Sequence, residues 1–280
     1  MIRAIQMIAV VAVFIVAGCR PKQVVHPATL KIKLDEPLPQ SHDDLSSVAF
    51  LELHAVQITP DVIDVIDRCE NLGVLSIRAC NVPQKSTLQI SPKIGQLYLS
   101  GLRTTHPLSI VGGESLTMAI VNSCELDSFD LDALHSDNTL TQLTVVDCTL
   151  SDDTITWIHR QSNLSTLQYG NNDSINDVFT GWASRNFVSV DLAGMVPTTD
   201  ALAFLERQPY LSHYSIDLCG DSTARSAIAL LKRETITSAS LFCARKDLAR
   251  YTKLSSRGVP FVNVYERNGP LTRTKYPNEP

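Results

Sequence analysis

Leu140–Asn163 reads LTQLTVVDCTLSDDTITWIHRQSN, and weaker copies of it recur along most of the chain. With Leu140 as place one, apolar residues stand at places one, four and six (Leu140, Leu143, Val145), with Cys148 at place nine and Leu150 at place eleven. Alternation from Leu143 to Val145 is the period-two signal of a short strand with one buried face. Cys148 falls where the chain turns off the strand, a place where a small thiol tolerates burial. Ser151-Asp152-Asp153 then supplies an N-cap and two acids suited to the positive end of a helix. Ile155, Trp157 and Ile158 follow at helical spacing, and Leu164 starts the pattern again.

The same places are filled from starts at 48, 72, 94, 116, 140, 164, 187, 211 and 236, a period of 22 to 25 residues. A period this steady predicts stacked units that share one continuous core, because no single unit can bury its apolar face alone. Thr59-Pro60-Asp61 opens a helix with Pro at its first position, and Val62, Val65, Ile66 and Cys69 give it an apolar side. Further helices are expected over Asp130 to His135, after Thr198-Thr199-Asp200 with Leu202 and Leu205 inward, and around Ala227 to Leu231. The return segments 83–93 and 105–115 carry prolines or a Gly-Gly pair and little helical pattern, so they are expected to be irregular or extended. Val259 to Tyr265 reads as a terminal strand.

Met1-Ile2-Arg3 followed by the apolar run Ala4 to Val16 suits the core of a signal peptide and is too short to span a bilayer comfortably. It ends in Val16-Ala17-Gly18-Cys19, which resembles the lipobox of bacterial lipoproteins. That resemblance implies a lipidated Cys19 as first mature residue and membrane attachment, each buried CH₂ contributing about 0.8 kcal/mol. It also implies a cell-envelope location facing the periplasm or exterior. Arg20, where an Asp would mark inner-membrane retention, favours the outer membrane in a Gram-negative cell. Residues 20–45 form a Pro-rich tether in which Leu30, Ile32 and Leu34 either add a strand or belong to a disordered spacer. The expected organisation is a signal peptide over 1–18, the lipidated Cys and tether over 19–45, a repeat domain over 46–266 and a polar tail over 267–280.

The composition, 44% hydrophobic and 19% charged, fits a globular chain. Removing residues 1–19, whose one charged side chain is Arg3, takes the formal net charge from −5 to −6. No nucleic-acid partner is expected from that balance. Six further cysteines stand at 69, 80, 124, 148, 219 and 243. Cys80, Cys124, Cys148 and Cys219 share place nine, which points to a common packing role as buried free thiols. Parallel neighbours at about 4.8 Å make poor disulfide geometry. No ligand spacing supports a metal site, and no cofactor is expected.

The pattern L-x-x-L-x-L-x-x-C-x-L, as in Leu72 to Val82 and Leu140 to Leu150, resembles the leucine-rich repeat motif, in its cysteine-containing, ribonuclease-inhibitor-like branch. The resemblance covers residues 48–250. It implies an α/β solenoid of about nine repeats with a concave parallel sheet, helices or irregular segments on the convex side, protein binding as the activity, and no catalytic residues.

Places three, five and seven are the outward positions of each strand. They form a small, polar, mostly uncharged surface with an apolar and aromatic cluster at Phe50, Val74, Tyr98, Met118 and Ile120. Such a cluster marks a contact surface for an unidentified protein partner, unless the tether covers it. Gln142, Thr144, Asp191 and His213 extend that face. An alternative uses Asp191, His213 and Ser215, with Asp217 nearby, as an acyl-transfer set in an envelope hydrolase. An open sheet face lacks the dry pocket and oxyanion hole that such chemistry uses. A purely structural envelope component is a third reading.

Overall fold

The computed structural model describes residues 28–33, 36–40, 44–104, 108–124, 129–130, 134, 136, 138–149, 152–172, 179, 186–251 and 261–267. Cys19, Trp182, the helix cap at Ser151 and the polar tail beyond Arg267 lie outside these. The fold is α/β, dominated by one large parallel sheet. The chain begins with β1 (Ala28–Lys33), β2 (Val48–His54), α1 (Pro60–Arg68), β3 (Val74–Arg78) and the short β4 (Asn81–Val82). It continues through β5 (Ser86–Ile90), β6 (Gln96–Ser100), the short β7 (Arg103–Thr104), β8 (Leu108–Gly112), β9 (Met118–Asn122) and β10 (Phe129–Asp130). Then come β11 (Gln142–Val146), α2 (Asp152–Arg160), β12 (Thr166–Gly170), β13 (Ser189–Asp191) and α3 (Thr199–Arg207). The last elements are β14 (His213–Asp217), α4 (Asp221–Leu231), β15 (Ser238–Cys243), α5 (Leu248–Tyr251) and β16 (Phe261–Glu266).

The main sheet runs β1-β2-β3-β6-β9-β11-β12-β13-β14-β15-β16, every neighbouring pair parallel. Its register follows the sequence period. Place three pairs across as Phe50, Val74, Gln96, Met118, Gln142, Thr166, Ser189, His213 and Ser238. Places four and six turn inward: Leu51, Leu53, Leu75, Ile77, Leu143 and Val145 are all buried. Since side chains alternate faces, a one-residue slip would expose this entire apolar set, and burial therefore fixes the register.

The turn off the strand repeats as well. Ala55, Ala79, Gly101, Ser123, Asp147 and Asn171, all at place eight, have φ between 51° and 62°, and Gly194 has φ 91°. This left-handed conformation suits small or locally hydrogen-bonding side chains. It aims the place-eight N–H at the next strand: Ala55, Ala79, Gly101, Ser123 and Asp147 donate to Arg78, Ser100, Asn122, Val146 and Gly170 carbonyls at 2.7–3.1 Å. It also points place nine inward, burying Val56, Cys80, Leu102, Cys124, Cys148, Asn172 and Met195. Cys148 Sγ donates to Val121 O at 3.7 Å and to Val146 O at 3.2 Å. Asn172 Nδ2 donates to Val145 O at 2.9 Å, while its Oδ1 accepts from Cys148 N–H at 2.9 Å. Asn and Cys are thus interchangeable in geometry, the amide bonding more strongly.

Cys219 departs from the expected ladder, because it is exposed. After β14 the left-handed residue is absent, and Leu218 at place eight, 3% exposed, turns inward in its stead. Cys243 does the same one unit later, also from place eight. The six described cysteines are free thiols.

The opposite side of the core is covered in two ways. Helices α1, α2, α3 and α4 fall where the caps and apolar spacing place them, with Pro60 opening α1 and Thr198 Oγ1 accepting from Ala201 N–H at 3.1 Å. Trp157 packs in this layer, 2% exposed, as expected from the α2 pattern. The non-helical returns do more than cross: β5 and β8 pair in parallel and β10 joins them in a second sheet. The helix expected over Asp130 to His135 is therefore corrected. Asp130 is in β10, and Leu134 forms a parallel bridge with Gly112. The unpaired edge of β8 offers backbone partners that outweigh a weak helical pattern. Gly112 sits here with φ 89°, and a Cβ on it would lie 2.5 Å from Ile90 O.

Within the segment read as a tether, β1 pairs with β2, so the strand alternative is the observed one for residues 28–33. Gln40 O accepts from Arg68 Nη2 of α1 at 2.7 Å, placing that part of the segment beside the helix layer. No helix among the described residues is long and apolar enough to cross a membrane.

Replacing Asn172 with alanine strands one buried N–H and one buried C=O, at a cost of about 2–4 kcal/mol. Urea unfolding should show that loss, and a smaller loss for Asn172→Cys, whose thiol can serve the same carbonyl.

Candidate functional site

The outward face of the main sheet collects places three, five and seven. Phe50, Val74, Tyr98, Met118 and Ile120 are each half-buried. The register sets Phe50 beside Val74, and Tyr98 beside Ile120, while Tyr98 Oη lies 3.6 Å from Met118 Sδ. The apolar cluster is thus brought together on β2, β3, β6 and β9. Gln142, exposed, and Thr144, half-buried, continue it on β11 as the partners of Met118 and Ile120. None of the outward positions of β6, β9, β11 and β12 carries a charged side chain.

Charge returns at the two ends of the sheet. At the β1 end, Lys31 Nζ meets Glu52 at 2.7 Å, and Arg78 lies 3.9 Å from the same carboxylate. Lys31 holds the Glu52 carboxyl below its usual range. Arg78 Nε also donates to Ser76 Oγ at 3.2 Å.

At the other end, Asp191, His213 and Ser215 are neighbours, but their contacts are not those of an acyl-transfer set. Asp191 accepts from Ala193 N–H at 2.9 Å and from Gln168 Nε2 at 3.3 Å. His213 Nδ1 is 2.8 Å from Ser238 Oγ, and its Nε2 is 3.4 Å from Ser215 Oγ. The carboxylate is therefore held by a backbone N–H and a side-chain amide, and the histidine lies between two serines. An acid that orients the base through its N–H is the geometry that reaction uses. Ser215 is itself buried, 4% exposed. The contacts form two polar runs on neighbouring strands: Thr144, Gln168 and Asp191, where Thr144 Oγ1 donates to Gln168 Oε1 at 3.4 Å, and Ser215, His213 and Ser238.

Asp217 belongs to a separate cluster. Its carboxylate is fully buried, accepts Gly194 N–H at 2.6 Å and pairs with Arg267, which reaches back from beyond β16. Burial pushes the Asp217 carboxyl up, against the pull of the Gly194 N–H and Arg267. Arg267 Nη2 also lies 3.7 Å from Cys219 Sγ. Arg267 was not legible as a partner, because it follows the last periodic strand. Gln168 and Ser238 do occupy outward places, so their period was the available signal. Desolvation raises the Cys148 thiol to about 12 and that of Cys219 to about 11, which leaves both poor nucleophiles at neutral pH. No group of three or more His, Cys, Asp or Glu that could hold a metal occurs among the described residues.

No protein-family model matches the chain, and no curated protein or solved structure matches it.

Burial raises the Asp191 carboxyl above its ordinary 3.8, ahead of the opposing pull of Ala193 N–H, His213 and Ser215. The folded chain then holds that proton more tightly than the unfolded one. Its contribution favours folding at low pH and is lost as pH rises from the unfolded pKa through the raised folded one. Asp191→Asn removes this dependence. Urea midpoints should show the variant gaining on the wild type as pH rises above about 4, the ordinary carboxylate value.

Proposed function

We propose that this chain is a lipid-anchored envelope protein of the leucine-rich-repeat type that presents the outward sheet face to a protein partner. The repeat reading is supported by strands that pair at the spacing of the sequence period and by Asn172 and Cys148 filling equivalent turn positions. The anchor reading rests on Val16-Ala17-Gly18-Cys19 and its apolar run. In it Cys19 carries the lipid and residues 1–18 are removed. The chain then stands on the periplasmic or outer side, on the outer membrane in a Gram-negative cell.

The binding reading is carried by one observation: the outward places of four neighbouring strands carry no charge and include Tyr98, Met118 and Ile120. Interface centres are depleted of charge and enriched in aromatic residues and Met, and charges gather at the rim. Phe50 and Val74 extend the patch on one side, and Gln142 and Thr144 on the other. Asp191 and His213 mark the far rim.

Tyr98→Glu and Met118→Asp should each weaken partner recovery from envelope extracts by at least about tenfold. Unchanged recovery means that another surface binds. Incorporation of a fatty-acid analogue should be lost in Cys19→Ala; retained label removes the anchor. The hydrolase alternative, through Asp191, His213 and Ser215, requires ester or peptide turnover that His213→Ala abolishes. Equal background rates are expected.

A further inference from the structure

We propose that the partner of the sheet face is a protein held in or on the same membrane as Cys19. This rests on the anchor and docking readings above. The tether is shorter than its sequence. Residues 20–45, fully extended, would reach about 85 Å, but the domain takes up most of them. β1 pairs with β2 along its whole length, and its Ile32 is 2% exposed. Leu45 is buried, Leu38 packs against the core, and Gln40 O accepts from Arg68 Nη2 on α1. The free length therefore ends at Ala28. From Cys19 to Thr29 is ten residues, which span at most about 36 Å along any path.

The tether joins the domain beside the apolar patch. Thr29 pairs with Phe50, and the register continues through Val74 and Gln96 to Met118. Phe50 is thus one strand spacing from the point of entry, about 5 Å, and Met118 four, about 19 Å. Ser238, in the same row on β15, is nine spacings away, about 43 Å. The patch then lies within about 55 Å of the lipidated residue. A face that served a partner away from the membrane would reach farther from the β15 end, yet the patch is at the anchored end. Two proteins confined to one thin layer meet at a raised effective concentration, an advantage that a freely diffusing partner does not share. The bilayer itself is a poorer match. Gln96, Ser100 and Asn122 stand among Tyr98, Met118 and Ile120 on β6 and β9, and their polar groups would lose water against hydrocarbon. A protein segment can hydrogen-bond them instead.

The test is made in intact cells with the full-length chain, carrying a photo-crosslinking amino acid at Tyr98 or, in a second version, at the exposed Gln142. A protease site is inserted between Gln23 and Val24. After irradiation the membranes are washed in high salt, the tether is cleaved, and the membranes are sedimented. Cleavage should release the uncrosslinked domain, while the protein adduct stays with the membrane. An adduct released together with the domain overturns the proposal and leaves the docking face standing. Adducts to lipid alone overturn it in favour of contact with the bilayer. No adduct at either position overturns the docking face. A chain that washes off the membrane before cleavage overturns the anchor, and the proposal with it.

Discussion

The turn at the end of each strand is the constraint on which the rest of this structure depends. One residue in the left-handed conformation swings its N–H onto the next strand and tips the following side chain into the core. A backbone group buried at that turn without a partner would cost about as much as a lost hydrogen bond. The turn therefore makes stacking and hydrogen bonding one requirement, and it explains why place nine holds Cys, Asn, Val, Leu or Met but no charged residue. Where the device lapses, after β14, the inward position slips by one residue and Cys219 is left exposed. Asp217 and Arg267 then hold the ends of the last strands together through a buried ion pair.

Stacking in register also shapes the outward face. Each outward place lies beside the same place of the next unit, so chemistry accumulates in rows rather than in a pocket. The rows place Tyr98 beside Ile120 and line Lys33, His54 and Arg78 across one end. They also bring Gln168 to Asp191 and set His213 between Ser215 and Ser238. A surface of rows suits recognition of another chain, whose own repeat along an extended segment can match it.

Much of this was legible in the sequence because burial enforces it. Leu140, Leu143, Val145 and Cys148 mark strand and turn by period alone, and the same places predicted which residues pair across the sheet. The helices at Pro60 and Thr199 were legible from Thr-Pro-Asp and Thr-Thr-Asp, whose capping chemistry is local. The second sheet was not. Ser86–Ile90 and Leu108–Gly112 show an extended tendency, but their pairing is a contact between units that no local signal encodes. The failed helix near Asp130 has the same origin, since a neighbouring strand edge decided it. At the site, the outward places named the participants and left their contacts open. Whether Asp191 meets His213 or Ser215 turns on side-chain direction within a distance that allows both.

The central claim is that the outward sheet face, not the helical side, meets another protein. A photo-crosslinking amino acid placed at Ile120 tests this most directly, compared in intact cells with the same group at Asp153 on α2. The account predicts a discrete protein adduct from Ile120 and none from Asp153. An adduct from Asp153, with none from Ile120, would contradict it.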